Sequence, residues 1–302
     1  MNYTCLDETC RQNGIPCGQN KPLAPLTTMK IGGECDRLVT VTDEKQLLTA
    51  LNCCRSGNIP HFILGRGSNL LVSSKGYRGC VINLAPGEVP AVVSGNEVTA
   101  WAGSMLQRVC VLARDSSLSG LEFAYGIPGS VGGALFMNAG AYGGEMKDVV
   151  KSCRYIGADG KLHEMQAADM QLAYRSSVFS HGEHVITSVT MELHPGEKSE
   201  ITARMDELMQ RRRDKQPLNY PSCGSTFKRP EGYFAAALIE ECGLKGYAVG
   251  GAQVSEKHSG FVINRGSATF EDVMSVVNEV RRVVLEKKGV ELECEMLILG
   301  EH

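Results

Sequence analysis

Three parts of the sequence hold residue types that could do chemistry. The first is a pair of glycine-rich turns, Gly65-Arg66-Gly67-Ser68-Asn69 and Gly126-Ile127-Pro128-Gly129-Ser130-Val131-Gly132-Gly133. Such backbone can present successive N–H groups to an anion, because no Cβ blocks the approach and the peptide dipoles converge. Each turn alone specifies little, but two together suit a pyrophosphate held between them, as in a dinucleotide cofactor such as FAD. The second part is Tyr174-Arg175-Ser176-Ser177, between β-like runs. It reads as a surface turn, or as a guanidinium that pairs a substrate carboxylate bidentately. The third is Ser225 in Cys223-Gly224-Ser225-Thr226-Phe227-Lys228. A serine there fits ordinary turn chemistry, or a hydroxyl that protonates a carbanion when a neighbour lowers its pKa. Glu295 alternates with Glu291 and Glu293 and reads, on spacing alone, as one of three solvated carboxylates. His181 and His184 lack further ligand-spaced residues and read as hairpin residues.

Periodicity supplies the elements that must position these groups. Residues 1–24 are polar without a sustained period and read as an extended arm. Residues 37–41 are β-rich. Thr42 suits the N-cap of a helix with Leu47, Leu48, Leu51 and Cys54 on one face and Gly57 at its stop. Residues 61–64 then complete a β-α-β unit. The turn at 65–69 is followed by Leu-Leu-Val-Ser-Ser, a strand, whereas a Rossmann fingerprint needs GxGxxG opening a helix. The doubly wound dinucleotide fold is therefore disfavoured. Residues 78–102 read as β-rich, and Met105, Leu106, Val109, Cys110, Leu112 and Ala113 share a helical face. The segment 121–146 is too rich in glycine for an ordinary helix or strand, and 149–194 returns to short strands. Helices are expected over 199–213, over 234–242, and from a Thr269 cap to Lys287-Lys288-Gly289, followed by a strand over 290–299.

Composition narrows the class. A chain of 302 residues with formal net charge −3, 22% charged and 43% hydrophobic residues is an ordinary globular protein of two or three domains. The near-neutral balance argues against a nucleic-acid binder, and Arg211-Arg212-Arg213-Asp214-Lys215 reads as a solvated helix end. No apolar run approaches the ~20 residues of a membrane span. The first residues lack the apolar centre of a secretory signal, so a cytoplasmic location is expected. In that reducing setting the twelve cysteines stay as thiols, and their spacing fits no zinc ribbon.

The motifs LGRGSNLLVS, GIPGSVGGALFMNAGAYG, YRSSVF, PSCGSTFKRP, GAQVSEKHSGFVIN and GVELECEMLILGE, in that order, resemble bacterial UDP-N-acetylenolpyruvoylglucosamine reductases of the shorter, type II class. The resemblance spans about Thr27 to Glu301. It implies an α+β chain: a two-subdomain FAD-binding fold of the vanillyl-alcohol-oxidase (PCMH) type plus a C-terminal α+β substrate-binding domain. The expected divisions are an arm over 1–26, FAD-binding subdomains over 27–80 and 81–196, and the substrate domain over 197–302. NADPH would reduce FAD, and the flavin hydride would pass to the enolpyruvyl ether of UDP-N-acetylglucosamine-enolpyruvate, giving UDP-N-acetylmuramate for peptidoglycan synthesis. By motif match, Arg175 and Glu295 stabilise the enediolate charge and Ser225 donates the proton. Glu295 must then be neutral, which revises its solvated reading and calls for burial. Gly65, Arg66, Gly67, Ser68, Asn69, Gly129, Ser130, Val131, Gly132 and Gly133 would bind FAD, and Tyr174 and Lys228 the substrate. Many oxidases of this fold attach flavin covalently through a histidine in the glycine loop; no histidine lies between His61 and His163, so FAD is expected to be non-covalent. No metal site and a monomeric state are expected.

Overall fold

The structure, a computed structural model, describes residues 2–301. By backbone contacts the chain divides into two units, each assembled from separate stretches of sequence.

The first unit comprises Met1–Gln19, Arg37–Arg66 and Gly79–Arg211. Its main sheet is antiparallel, with strands in the order Leu162–Gln166, Val150–Ile156, Val185–Glu192, Glu97–Trp101 and Val92–Ser94. Helices α1 (Thr4–Gln12), α2 (Glu44–Ser56), α3 (Leu106–Asp115) and α4 (Val131–Phe136) bury one face each. On α2 that face is Leu47, Ala50, Leu51 and Cys54, and on α3 it is Leu106, Val109, Cys110 and Ala113, as the helical spacing requires.

A second sheet has the strand order Cys17–Pro22, Glu34–Val41, Tyr77–Leu84, His61–Leu64. The last two run parallel, with Phe62 opposite Val81. The strands flanking α2 are thus not neighbours; Tyr77–Leu84 lies between them.

The second unit comprises Asn20–Asp36, Gly67–Arg78 and Arg212–His302. Helix α5 (Lys198–Lys215) leads into it, followed by α6 (Ala235–Glu241) and α7 (Phe270–Lys288). Val273, Val276, Val277, Val280 and Val284 of α7 are fully buried. The helix opens on a reciprocal cap between Thr269 and Asp272 and closes at Gly289, whose φ of 67° is left-handed. A three-stranded antiparallel sheet, Ala248–Val249, Ala252–Val254 and Val262–Asn264, belongs to this unit, as does the parallel pair Leu70–Val72 and Leu297–Leu299.

Four local expectations fail, each for a visible reason. The polar N-terminus is helical over Thr4–Gln12, because Leu6 and Cys10, one turn apart, are buried and Asp7 pairs with Arg37 at 2.8 Å. The N-cap of α2 is Asp43, whose carboxylate accepts from Gln46 N at 2.8 Å; Thr42 instead donates its N–H to the Gln46 side chain. The glycine-rich segment does contain a helix, α4. Gly132 is required there, since a Cβ would lie 2.7 Å from Ala102 Cβ. Finally, only Leu297–Leu299 of the alternating run 290–299 forms a strand, with an isolated bridge between Cys294 and Phe227 before it.

Candidate active site

The turn after strand His61–Leu64 is built to be approached closely. Gly67 has φ 58°, and a Cβ on it would lie 2.4 Å from Leu26 O; Gly67 O accepts from Thr28 N at 3.1 Å. A Cβ on Gly65 would lie 2.4 Å from Ser130 Oγ. Among the described residues, no backbone N–H of Gly65, Arg66, Gly67 or Ser68 donates a hydrogen bond. This leaves successive donors available to an anion.

The second glycine-rich segment is used differently. Val131 N donates to Ser104 O at 2.9 Å, Gly132 N to Ala102 O at 2.8 Å, and Gly133 N to Ser130 Oγ at 3.3 Å. Ser130 therefore caps α4, and the amides of Val131, Gly132 and Gly133 are satisfied inside the protein. Gly129 O accepts from Leu106 N at 3.0 Å. The segment brings Ala102-Gly103-Ser104 beside it, and there the buried Ser104 Oγ has no hydrogen-bond partner among the described residues. A buried hydroxyl without a partner costs free energy unless a bound group satisfies it. Within the first unit, the open amides of Gly65 and Arg66, the close approach that Gly65 allows at Ser130, and the orphaned buried hydroxyl of Ser104 fit a dinucleotide cofactor. Ser104 was missed in the sequence, although Ala102-Gly103-Ser104 is a third glycine-hydroxyl turn of the same chemical type.

Arg175 sits at the tip of a tight turn. Ala173 N donates to Ser176 O at 3.1 Å and Ser176 N to Ala173 O at 3.2 Å, and Arg175 takes φ 53°. A non-glycine residue in that region is strained, and such strain persists only where surrounding contacts impose it. Here Asn138, fully buried, donates from Nδ2 to Ala173 O at 3.0 Å and to Glu145 Oε2 at 2.8 Å. Ser177 Oγ is tied to Phe136 O at 2.5 Å. The guanidinium lies 5.0 Å from the centre of the exposed Tyr174 ring. Lys147 first, then Asn138 and Arg175, hold the Glu145 carboxyl below the usual carboxylate range. Asn138 lies in Met137-Asn138-Ala139-Gly140, and nothing in its spacing marks it as a clamp.

In the other unit, Ser225 is exposed and follows Gly224, whose φ is 75°. Its neighbour Thr226 is buried, with every polar group engaged. Thr226 N donates to Gly260 O at 2.8 Å, Thr226 Oγ1 accepts from Val262 N at 3.0 Å, and Thr226 O accepts from Glu295 N at 2.9 Å. Glu295 is half-buried, whereas Glu291 and Glu293 are exposed. Asn69 joins the same assembly: its Nδ2 donates to Glu295 O at 2.9 Å and its carbonyl accepts from Leu297 N at 3.0 Å. Lys228 N donates to Glu293 O at 2.8 Å, and its ammonium pairs with the Glu293 carboxylate. The structure thus gathers Asn69, Ser225, Lys228 and Glu295 through Thr226, and gathers Tyr174 and Arg175 through Asn138.

Comparison with known proteins decides the family. A profile described as "UDP-N-acetylenolpyruvoylglucosamine reductase, C-terminal domain" matches residues 216–299, and one described as "FAD binding domain" matches 35–166. A UDP-N-acetylenolpyruvoylglucosamine reductase of Clostridium perfringens (strain SM101 / Type A) is 48% identical over 298 residues, covering 99% of this chain and 97% of that protein. The chain belongs to the UDP-N-acetylenolpyruvoylglucosamine reductase family. A relative of the same name from Lachnoclostridium phytofermentans is 46% identical over 286 residues, covering 93% of this chain and 92% of its own. The crystal structure of the Thermus caldophilus reductase superposes with a TM-score of 0.79 at 34% identity, covering 95% of this chain and 99% of that one. The α+β fold implied by the motifs, an FAD-binding portion and a C-terminal domain of this family, is therefore the fold observed. The chain is a flavin-binding oxidoreductase of that family. Among the described residues no helix is long and apolar enough to cross a membrane, and no cluster of His, Cys, Asp and Glu could hold a metal ion.

Proposed function

We propose that this chain catalyses the NADPH-dependent reduction of UDP-N-acetylglucosamine-enolpyruvate to UDP-N-acetylmuramate, a cytoplasmic step of peptidoglycan precursor synthesis, as a monomer with non-covalent FAD. The observation that carries the reading is near-full-length similarity to reductases named for that substrate. The local geometry supports the roles. FAD, when bound, supplies the hydride chemistry between NADPH and substrate. Gly65, Arg66, Gly67 and Ser68 offer it open amides, with Asn69 ending the same turn, and the Gly129–Gly133 segment, Ser104 beside it, completes the seat.

The residues of the chain manage the charge and the proton. Hydride arrival at the terminal carbon leaves negative charge on the adjacent carbon, spread into the carboxylate. Arg175, held in a strained turn, pairs that carboxylate with its planar fork. Glu295, in its protonated form, donates a hydrogen bond to the same charge. Ser225, on a loop anchored by Thr226, gives its proton to the adjacent carbon. Tyr174 and Lys228 bind the substrate beyond the reacting carbons. Within residues 35–166 lies the FAD-binding portion, and within 216–299 the substrate-binding portion.

The test is direct. FAD-loaded protein should consume NADPH only when the enolpyruvyl nucleotide is added, and UDP-N-acetylmuramate should accumulate mole for mole. An FAD-loaded protein that consumes no NADPH with that substrate would overturn the assignment.

A further inference from the structure

All twelve cysteines are free thiols, and two of them, Cys5 and Cys53, face each other within the first unit. The sulfurs of Cys5 and Cys53 lie 3.6 Å apart. No cluster among the described residues has a metal-binding arrangement, so the chemistry open to these thiols is pairwise. Cys5 is exposed and stands in the first turn of α1, whereas Cys53 on α2 is 8% exposed. Thr9, one turn beyond Cys5 on α1, accepts a hydrogen bond at Oγ1 from Cys53 Sγ at 3.6 Å. This contact aims the Cys53 sulfur at α1.

We propose that Cys5 and Cys53 form a thiol-modification site that takes a low-molecular-weight disulfide and ends as an intrachain disulfide joining α1 to α2. The Cys5 thiolate attacks one sulfur of the small disulfide; that S–S bond breaks and a small thiolate leaves. Cys53 then gives its proton to solvent and attacks the Cys5 sulfur, expelling the second small thiolate. Two protein thiols are oxidised and one small disulfide is reduced to two thiols. The order follows from access: the reagent reaches Cys5, while burial keeps Cys53 protonated by raising its pKa. The sulfurs must close by about 1.5 Å to reach a bond length near 2.05 Å.

The experiment treats FAD-loaded protein with glutathione disulfide, alkylates the remaining thiols and maps peptides without reduction. The expected product is a cross-link between Cys5 and Cys53, located by fragment masses, with two glutathione molecules released per chain. The same link should form in Cys54→Ser. In Cys53→Ser, Cys5 should instead accumulate as a stable glutathione adduct. The proposal fails if wild-type Cys5 stays glutathionylated while Cys53 remains alkylatable. It also fails if Cys5 links to Cys54 or another cysteine, or if Cys5 is inert under conditions that oxidise the others. Because wild-type mapping alone separates these outcomes, the test stands even if a variant does not fold.

Discussion

Gly67→Ala and Gly95→Ala make the same chemical change at nearly the same backbone angle, φ 58° and 59°. Both force an L-residue into the left-handed region, at a cost of about 1–2 kcal/mol. Around Gly95 there is nothing within 4 Å of the new Cβ, so the angle is the whole penalty. At Gly67 the Cβ would stand 2.4 Å from Leu26 O and 2.9 Å from Thr27 Cα. Both are backbone atoms with no flexible end to move aside, and overpacking of this kind costs about 1–3 kcal/mol more. Gly67→Ala should therefore lose about 2–5 kcal/mol and Gly95→Ala about 1–2 kcal/mol in urea unfolding followed by circular dichroism. Displacing the turn also moves the open amides of Gly65–Ser68, so Gly67→Ala should purify with less flavin and bind added FAD more weakly, while Gly95→Ala should match wild type. Equal losses for the two variants would refute the packing argument, and unchanged FAD affinity in Gly67→Ala would refute the assignment of this turn to the cofactor.

Three further outcomes are expected. Arg175→Lys keeps the charge but loses the planar fork, and turnover should fall by at least ~10²-fold in steady-state assays; near-normal turnover would remove Arg175 from the catalytic set. Acid precipitation should release all flavin into the supernatant, and colour retained in the pellet would contradict non-covalent binding. Arg37 beside Asp7 holds that carboxyl below its usual value near 3.8, so the pair contributes fully above that pH and its contribution is lost as pH falls, since the unfolded chain takes up the proton first. Acid unfolding of Asp7→Asn should show a correspondingly weaker dependence on pH below about 4, and an unchanged profile would exclude the pair from acid stability.

The reach of the sequence can be traced residue by residue. Helices α2, α3, α5 and α7 were legible because their apolar spacing is that of a helix packed on one side, and Thr269 and Gly289 mark the ends of α7 in the expected way. Helix α1 was not legible, because a nine-residue helix with only Leu6 and Cys10 buried gives too little pattern; the tertiary pair Asp7–Arg37 helps hold it. The choice of Asp43 over Thr42 as cap rests on which side chain reaches Gln46 N, which two adjacent capping residues do not reveal. The glycines of α4 hid a helix because the reason for Gly132 lies across space, on Ala102. For the candidate site, residue types point to Arg175, Ser225 and the two glycine turns, whereas Glu295 reads as solvated on spacing and only the family motif singles it out. The groups that hold them, Asn138, Thr226 and Ser104, act through contacts with residues distant in the chain, and local spacing carries no trace of those.

The proton assignment to Ser225 is the most exposed claim, and stopped-flow absorbance of the flavin tests it one half-reaction at a time. Reduction by NADPH precedes any need for the proton, so Ser225→Ala should reduce at close to the wild-type rate. Reoxidation by UDP-N-acetylglucosamine-enolpyruvate should slow by ~10²–10⁴-fold, the range for loss of a general acid, and Ser225→Cys should recover part of it. If both halves slowed equally, Ser225 would be a structural or ligand-positioning residue of the Thr226 loop and the proposed proton path would be wrong.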